Sequence, residues 1–161
     1  MLGLTLCYIR QNKKTLMLYR NKKENDVHFG KYNGLGGKLK PGESPEEGVK
    51  REVEEESGLI LEKPRLHGFI LFPEYKDNED WLVFVFTATQ FSGVLKDCPE
   101  GELVWVDDDE LLKIPLWEGD RIFIPWLEKP SFFSAKFIYR DKRLVEHQVH
   151  FYPEPNMAQF P

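Results

Sequence analysis

The most restrictive stretch of this sequence is Ser44–Leu59, SPEEGVKREVEEESGL, because it can fold as little other than one helix with marked ends. Ser44 supplies a cap, Pro45 suits the first helical position, and Glu47 falls three residues after Ser44, as a capping box requires. Gly58 supplies the stop. On that helix Val49 and Val53 share an apolar side, whereas Glu52, Glu55 and Glu56, at i, i+3 and i+4, project together from another. Glutamates early in the helix suit its macrodipole, but Glu54–Glu56 crowd its negative end, where carboxylates repel one another and the dipole. Something cationic is expected there. Clustered carboxylate oxygens suit a hard divalent ion such as Mg²⁺, whose retained waters a phosphate can displace. By charge pattern alone the segment also reads as a solvated acidic helix. The preceding loop argues otherwise: Gly34, Gly36, Gly37 and Gly42 allow close backbone approach to an ion or ligand, and Arg51 can fix a neighbouring carboxylate or meet substrate charge.

The rest of the chain fits one domain spanning 1–161, with 153–161 expected as a loosely held tail. Its 41% hydrophobic content supports a packed core, and a net charge of -5 provides no general attraction to nucleic acid or anionic lipid. Cys7 and Cys98 have no metal-like spacing and read as ordinary thiols in a reducing, cytoplasmic setting. No apolar run has membrane-spanning length. GLTLCYI and TLMLYR form an expected hairpin, followed by a basic loop ending in an Asn33-Gly34 turn. RLHGFILFP and WLVFVFTATQF read as strands covered on both faces, and GELVWV as a shorter one. DDDELLKI is expected as a short capped helix, GDRIFIPWLEK as a helical segment broken near Pro125, and SAKFIYR with RLVEHQVHFY as a closing hairpin. His147 and His150 differ by three on that strand, so they face opposite sides and do not share a metal. The pattern predicts an α+β fold, a mixed sheet between helices.

The acidic segment resembles the Nudix box at all nine of its defined positions: Gly37, Glu43, Arg51, Glu52, Val53, Glu55, Glu56, Gly58 and Leu59. The resemblance implies an α/β/α sandwich around a mixed sheet and hydrolysis of a nucleoside diphosphate linked to a further group, with Mg²⁺ or Mn²⁺. Carried over by position, Glu52, Glu55, Glu56 and the Gly37 carbonyl would ligate metal, Arg51 would orient a carboxylate, and Glu43 would support the loop. Glu100 matches a further metal-ligating or water-orienting glutamate, with Glu102 close by. Glu52 is the favoured general base and Glu100 its competitor.

Beyond the box, RNKKENDVHFGKYNGLGGKL, DCPEGELVWV, LWEGDRIFIPWL and FFSAKFIY are similar to MutT-type enzymes, most nearly the bacterial MutX type. That implies hydrolysis of 8-oxo-dGTP to the monophosphate and pyrophosphate, a sanitation of the nucleotide pool linked to DNA repair. Asn33 would contact the base, Trp117 would stack on it, Asp120 would read its edge and Phe72 would wall the pocket, while Lys22 and Lys23 lie where they can meet phosphates. Relatives with this arrangement carry two adjacent acids after the Trp, but here Gly119 stands in place of the first. Each residue also has a structural reading: Trp117 and Phe72 as core, Asn33 as a turn former, and Asp120 as a helix cap. The expected partner is a purine nucleoside triphosphate, not a long nucleic acid or a membrane, and the chain is expected as a monomer or homodimer. The alternatives are another Nudix substrate, such as a dinucleoside polyphosphate, an ADP-sugar or the triphosphorylated end of RNA, with Pro73 and Tyr75 near a substrate-marker position, or a nucleotide-binding domain without catalysis.

Overall fold

A twelve-residue and a ten-residue strand hold the centre of the computed structural model, which describes residues 1–153. These are β5 (Arg65–Lys76) and β6 (Glu79–Ala88), an antiparallel pair turning at Asp77-Asn78, both of which have positive φ. The N-terminal hairpin is β1 (Leu2–Gln11) and β2 (Lys14–Tyr19), turning at Asn12-Lys13, again with positive φ. The closing hairpin is β9 (Phe132–Arg140) and β10 (Arg143–Tyr152). With β3 (Tyr32–Asn33) and β8 (Glu102–Asp107) these make an eight-stranded sheet, ordered β10-β9-β5-β6-β1-β2-β3, with β8 also on β2. The sheet is mixed: β1 runs parallel to β6 and β5 parallel to β9, while the other pairs are antiparallel. A separate two-stranded piece joins β4 (Ile60–Glu62) to β7 (Gln90–Ser92).

Alternating residues send side chains to two cores. On one face Cys7, Ile9, Leu16 and Phe86 meet Val49 and Val53 of α1 (Pro45–Ser57). On the other Tyr8, Met17, Val85 and Phe137 meet Phe123 of α2 (Glu118–Phe123) and the 3₁₀ turn Ile124–Glu128. This is the helix-flanked mixed sheet expected of an α/β/α sandwich. α1 has the predicted ends: Ser44 Oγ accepts from Glu47 N at 3.1 Å, Glu47 Oε1 accepts from Ser44 N at 3.0 Å, and Gly58 closes the helix at φ 83°.

The split between β1 and β2 positions the site. The two strands pair only at Ile9–Gln11 with Lys14–Leu16 and then diverge. The glycine loop enters the gap and pairs with β1: Leu35 exchanges backbone bonds with Cys7 at 2.6 and 3.0 Å, Thr5 N donates to Gly37 O at 2.9 Å, and Leu39 N donates to Gly3 O at 2.9 Å.

Two sequence expectations are corrected. Asn33-Gly34 is not a turn, since Asn33 lies in β3 opposite Leu18 and the chain runs on extended beside β1. DDDELLKI is not a helix but successive turns over 108–113, and Asp108 is held by Thr15 Oγ1 at 2.8 Å. The carbonyls of Leu112, Ile114 and Leu116 accept from the Arg121 guanidinium at 2.8–3.2 Å, which pins the end of this turn segment. Of the expected tail, residues 154–161 lie outside the described residues.

Candidate active site

The crowded carboxylates of α1 are organised by one guanidinium. Arg51 grips Glu43 with two bonds, Nε to Oε2 at 2.7 Å and Nη2 to Oε1 at 2.9 Å. Its Nη1 reaches Glu52 at 2.8 Å and Glu55 at 3.2 Å, and its Nη2 also donates to the Lys38 carbonyl at 3.0 Å. The planar fork therefore ties the helix to the glycine loop. Hydrogen bonds from Arg51, with one from the Lys40 amide, hold the Glu43 carboxyl down at about 2.

Glu56 has a different environment. It accepts from Gly36 N at 2.8 Å, yet burial, with Glu52 and Glu100 nearby, pushes its carboxyl up to about 8. A side chain at Gly37 would displace the Glu52 carboxyl, 2.6 Å away, and one at Gly36 would overlap the Thr5 carbonyl, so the backbone at Gly36 passes too close for any residue but glycine.

One cavity of about 530 Å³ collects these groups. Glu52, Glu55, Glu56, Glu100 and Gly37 line one end of it. As they stand, no three carboxylate, imidazole or thiol groups among the described residues converge closely enough to enclose an ion. The bonds above account for this, since Glu52 and Glu55 lean on Arg51 while Glu56 is tied to Gly36. The donor set nevertheless fits a hard divalent cation, since Glu52, Glu55, Glu56, Glu100 and the Gly37 carbonyl offer only oxygen.

Asn33, Phe72, Trp117 and Asp120 line the other end, with Tyr75 and Tyr139. Trp117 is 5% exposed; its Nε1–H donates to His28 Nδ1 at 2.9 Å, and Lys31 Nζ sits 5.0 Å from its ring centre. Burial, then the neighbouring Arg20, lowers His28 to about 4, so its imidazole is neutral and able to accept that bond. Asp120 is 9% exposed and lies in the first turn of α2, behind the cap position held by Trp117. Burial pushes its carboxyl up to about 7, opposed only at a distance by Arg121 and Lys31. Asn33 Oδ1 is buried with no hydrogen-bond partner among the described residues.

Lys23 does not line the cavity; it reaches Glu100 at 3.4 Å from outside, and Lys22 is spent on the Cys98 carbonyl at 2.8 Å. The basic groups on the cavity wall are Lys38 and Arg20, the latter held by Asp26 at 2.7 Å and 3.8 Å from Glu100. Glu102 points to Asn21 at 3.3 Å, while Glu100 lines the cavity. Cys98 is a buried wall residue, and burial raises both thiols. Tyr75 entered the sequence reading only as near a substrate-marker position, and Arg20, His28 and Tyr139 were not found by it. Only the density of basic and aromatic residues in RNKKENDVHFGKYNG and FFSAKFIY hinted at them.

A family model for the NUDIX domain matches residues 4–127. The chain belongs to the Nudix family. An oxidized purine nucleoside triphosphate hydrolase of Mus musculus is 30% identical, covering 88% of each chain. One from Danio rerio is 29% identical over 91% of this chain and 92% of its own. The crystal structure of a mutator MutT protein from Bacillus halodurans superposes with a TM-score of 0.82 at 31% identity, over 96% of this chain and all of that one. As a Nudix pyrophosphohydrolase, the chain has a carboxylate corner suited to a divalent metal, and no helix among the described residues is long and apolar enough to cross a membrane.

Proposed function

We propose that this chain hydrolyses oxidised purine nucleoside triphosphates, with 8-oxo-dGTP the leading substrate, to the monophosphate and pyrophosphate, as a single domain. The observation that carries the reading is the union of two chemistries in one cavity. The glycine loop and four carboxylates line it, and so do a cluster of aromatic rings, Asn33 with its unpartnered Oδ1, and a buried Asp120. A buried polar group without a partner costs about 1–3 kcal/mol unless a ligand satisfies it. A planar base with hydrogen-bonding edges meets that need, and its triphosphate would extend toward the acidic end.

In this reading Glu52, Glu55, Glu56, Glu100 and the Gly37 carbonyl would hold Mg²⁺, or Mn²⁺ in its place. Bound there, the ion would neutralise the polyphosphate and make a bound water more acidic. The protein's own part is positioning. Arg51 and Glu43 lock the loop against α1, and Gly36 N–H orients Glu56. Glu52 is the preferred general base and Glu100 the second candidate. Trp117, steadied by His28 and Lys31, would stack on the base while Asn33 and Asp120 read its edge.

The test is a divalent-metal-dependent hydrolysis panel of 8-oxo-dGTP, dGTP, diadenosine tetraphosphate and ADP-ribose, with products separated chromatographically. The expected outcome is the highest kcat/KM for 8-oxo-dGTP, yielding monophosphate and pyrophosphate. A clear preference for either of the last two would overturn the assignment of the aromatic end as a purine pocket.

A further inference from the structure

Where the resemblance leads one to expect a carboxylate after Trp117-Glu118, this chain has glycine and has no room for anything larger. A Cβ at Gly119 would lie 2.5 Å from the Phe137 ring and 2.7 Å from the Tyr139 hydroxyl. The space belongs to Tyr139, which reaches over from β9 and lines the cavity. Its position is determined on several sides. Its hydroxyl oxygen accepts the Gly119 N–H at 2.6 Å. Its ring stands edge-on to Trp117 at 5.7 Å and to Tyr75 at 5.9 Å, and is tilted against Phe72 at 6.1 Å.

The exchange changes the hydrogen-bonding sense of the wall. An ionised carboxylate only accepts, whereas a tyrosine hydroxyl that already accepts one bond still has a proton to donate. Among the described residues that proton has no protein acceptor. The hydroxyl is bound to the amide of Gly119, the residue before Asp120, and Tyr139 and Asp120 line the same cavity. A purine with an oxygen at position 6 presents an acceptor to such a donor and, next to it, an N1–H that a carboxylate can accept. A 6-aminopurine presents an N–H donor at position 6, which would face the hydroxyl proton and leave both unpaired.

We propose that Tyr139 is a specificity-determining residue, whose hydroxyl, held by the Gly119 amide, donates to the 6-oxo oxygen of the substrate purine and so selects 6-oxopurine over 6-aminopurine nucleoside triphosphates. This rests on the purine reading of the cavity given above. Gly119 and Tyr139 act as a matched pair, since the tyrosine can occupy its place only where residue 119 has no side chain.

The test compares kcat/KM for 8-oxo-dGTP and 8-oxo-dATP in the unaltered chain and in Tyr139→Phe, using the two substrates on the same preparation. The ratio is then independent of the folded fraction. The expected result is a loss of roughly 10–100-fold for 8-oxo-dGTP with little change for 8-oxo-dATP, since an unmet hydrogen bond at a specificity site has about that effect. Equal losses on both substrates would overturn the role of Tyr139 while leaving the purine reading intact. Failure of the unaltered chain to hydrolyse any purine triphosphate, with turnover of diadenosine tetraphosphate or ADP-ribose, would overturn the purine reading and this inference with it. Should the variant not fold, binding of the two monophosphates to the unaltered chain decides: tighter 8-oxo-dGMP supports the proposal, and equal affinities refute it.

Discussion

Replacing Asp120 by asparagine should make this protein more stable, by an amount that depends on pH in a defined way. The Asp120 carboxyl is buried in the wall of the cavity with its pKa pushed up to about 7, against an ordinary 3.8. The folded state therefore holds the proton more tightly than the unfolded chain does. For an acid raised on folding, the full stability is present below about pH 4, is lost progressively as pH rises through about 7, and changes no further above that. At 1.36 kcal/mol per pH unit, a gap of about three units amounts to about 4 kcal/mol. Asp120→Asn removes this titration. The difference in unfolding free energy between the variant and the unaltered chain should rise by up to about 4 kcal/mol from pH 4 to pH 8 and then level off. Any effect of fitting an amide in place of a carboxyl enters as a constant offset, so the pH-dependent part is the quantity to read. Urea unfolding at pH 4, 5, 6, 7, 8 and 9 gives it directly. A difference flat across that range would refute the claim that Asp120 is buried at the cost of its charge.

Glu55→Gln should abolish turnover while changing stability by less than about 1 kcal/mol, because the Glu55 side chain is 55% exposed; melting and activity measured together would check both halves. Chelation of divalent ions should remove activity and added Mg²⁺ or Mn²⁺ restore it, as assayed by pyrophosphate release. Gly37→Ala places a methyl 2.6 Å from the end of the Glu52 side chain, which must swing aside, so we expect little change in stability but a large fall in kcat, read from melts and steady-state kinetics. His28→Leu strips Trp117 Nε1–H of its acceptor, which should raise KM for 8-oxo-dGTP about 10-fold with a smaller change in kcat. His28→Asn, which keeps an acceptor, should recover part of the loss.

The parts legible in the sequence share a property: their determinants are local. The helix from Pro45 to Ser57 carries its own caps, and the i, i+3, i+4 placement of Glu52, Glu55 and Glu56 follows from helical geometry once those caps are read. The two terminal hairpins and the long apolar strands likewise declare themselves within a few residues. The misreadings occurred where distant groups decide. Asn33-Gly34 has the composition of a turn, but Leu18 and Cys7 draw that segment out as an added strand. DDDELLKI has a helical pattern, but distant side chains pin it as turns, Thr15 at Asp108 and Arg121 at the carbonyls of Leu112, Ile114 and Leu116. The base pocket was half visible for the same reason. Trp117 and Asp120 stand in one short motif, whereas their neighbours His28, Tyr75 and Tyr139 come from a loop and two separate strands.

The glycine loop seated between the diverging strands has a consequence for how the chain meets its substrate. Loops over active sites often close only once the ligand is present and part of the binding energy is consumed in ordering them. Here Leu35 and Leu39 donate their amides to β1, whose carbonyls at Cys7 and Gly3 receive them at 3.0 and 2.9 Å. Those amides should resist exchange with deuterium as long as the central strands do, in the absence of any nucleotide. The loop would then have been ordered once, during folding, and each arriving substrate would find it already in place.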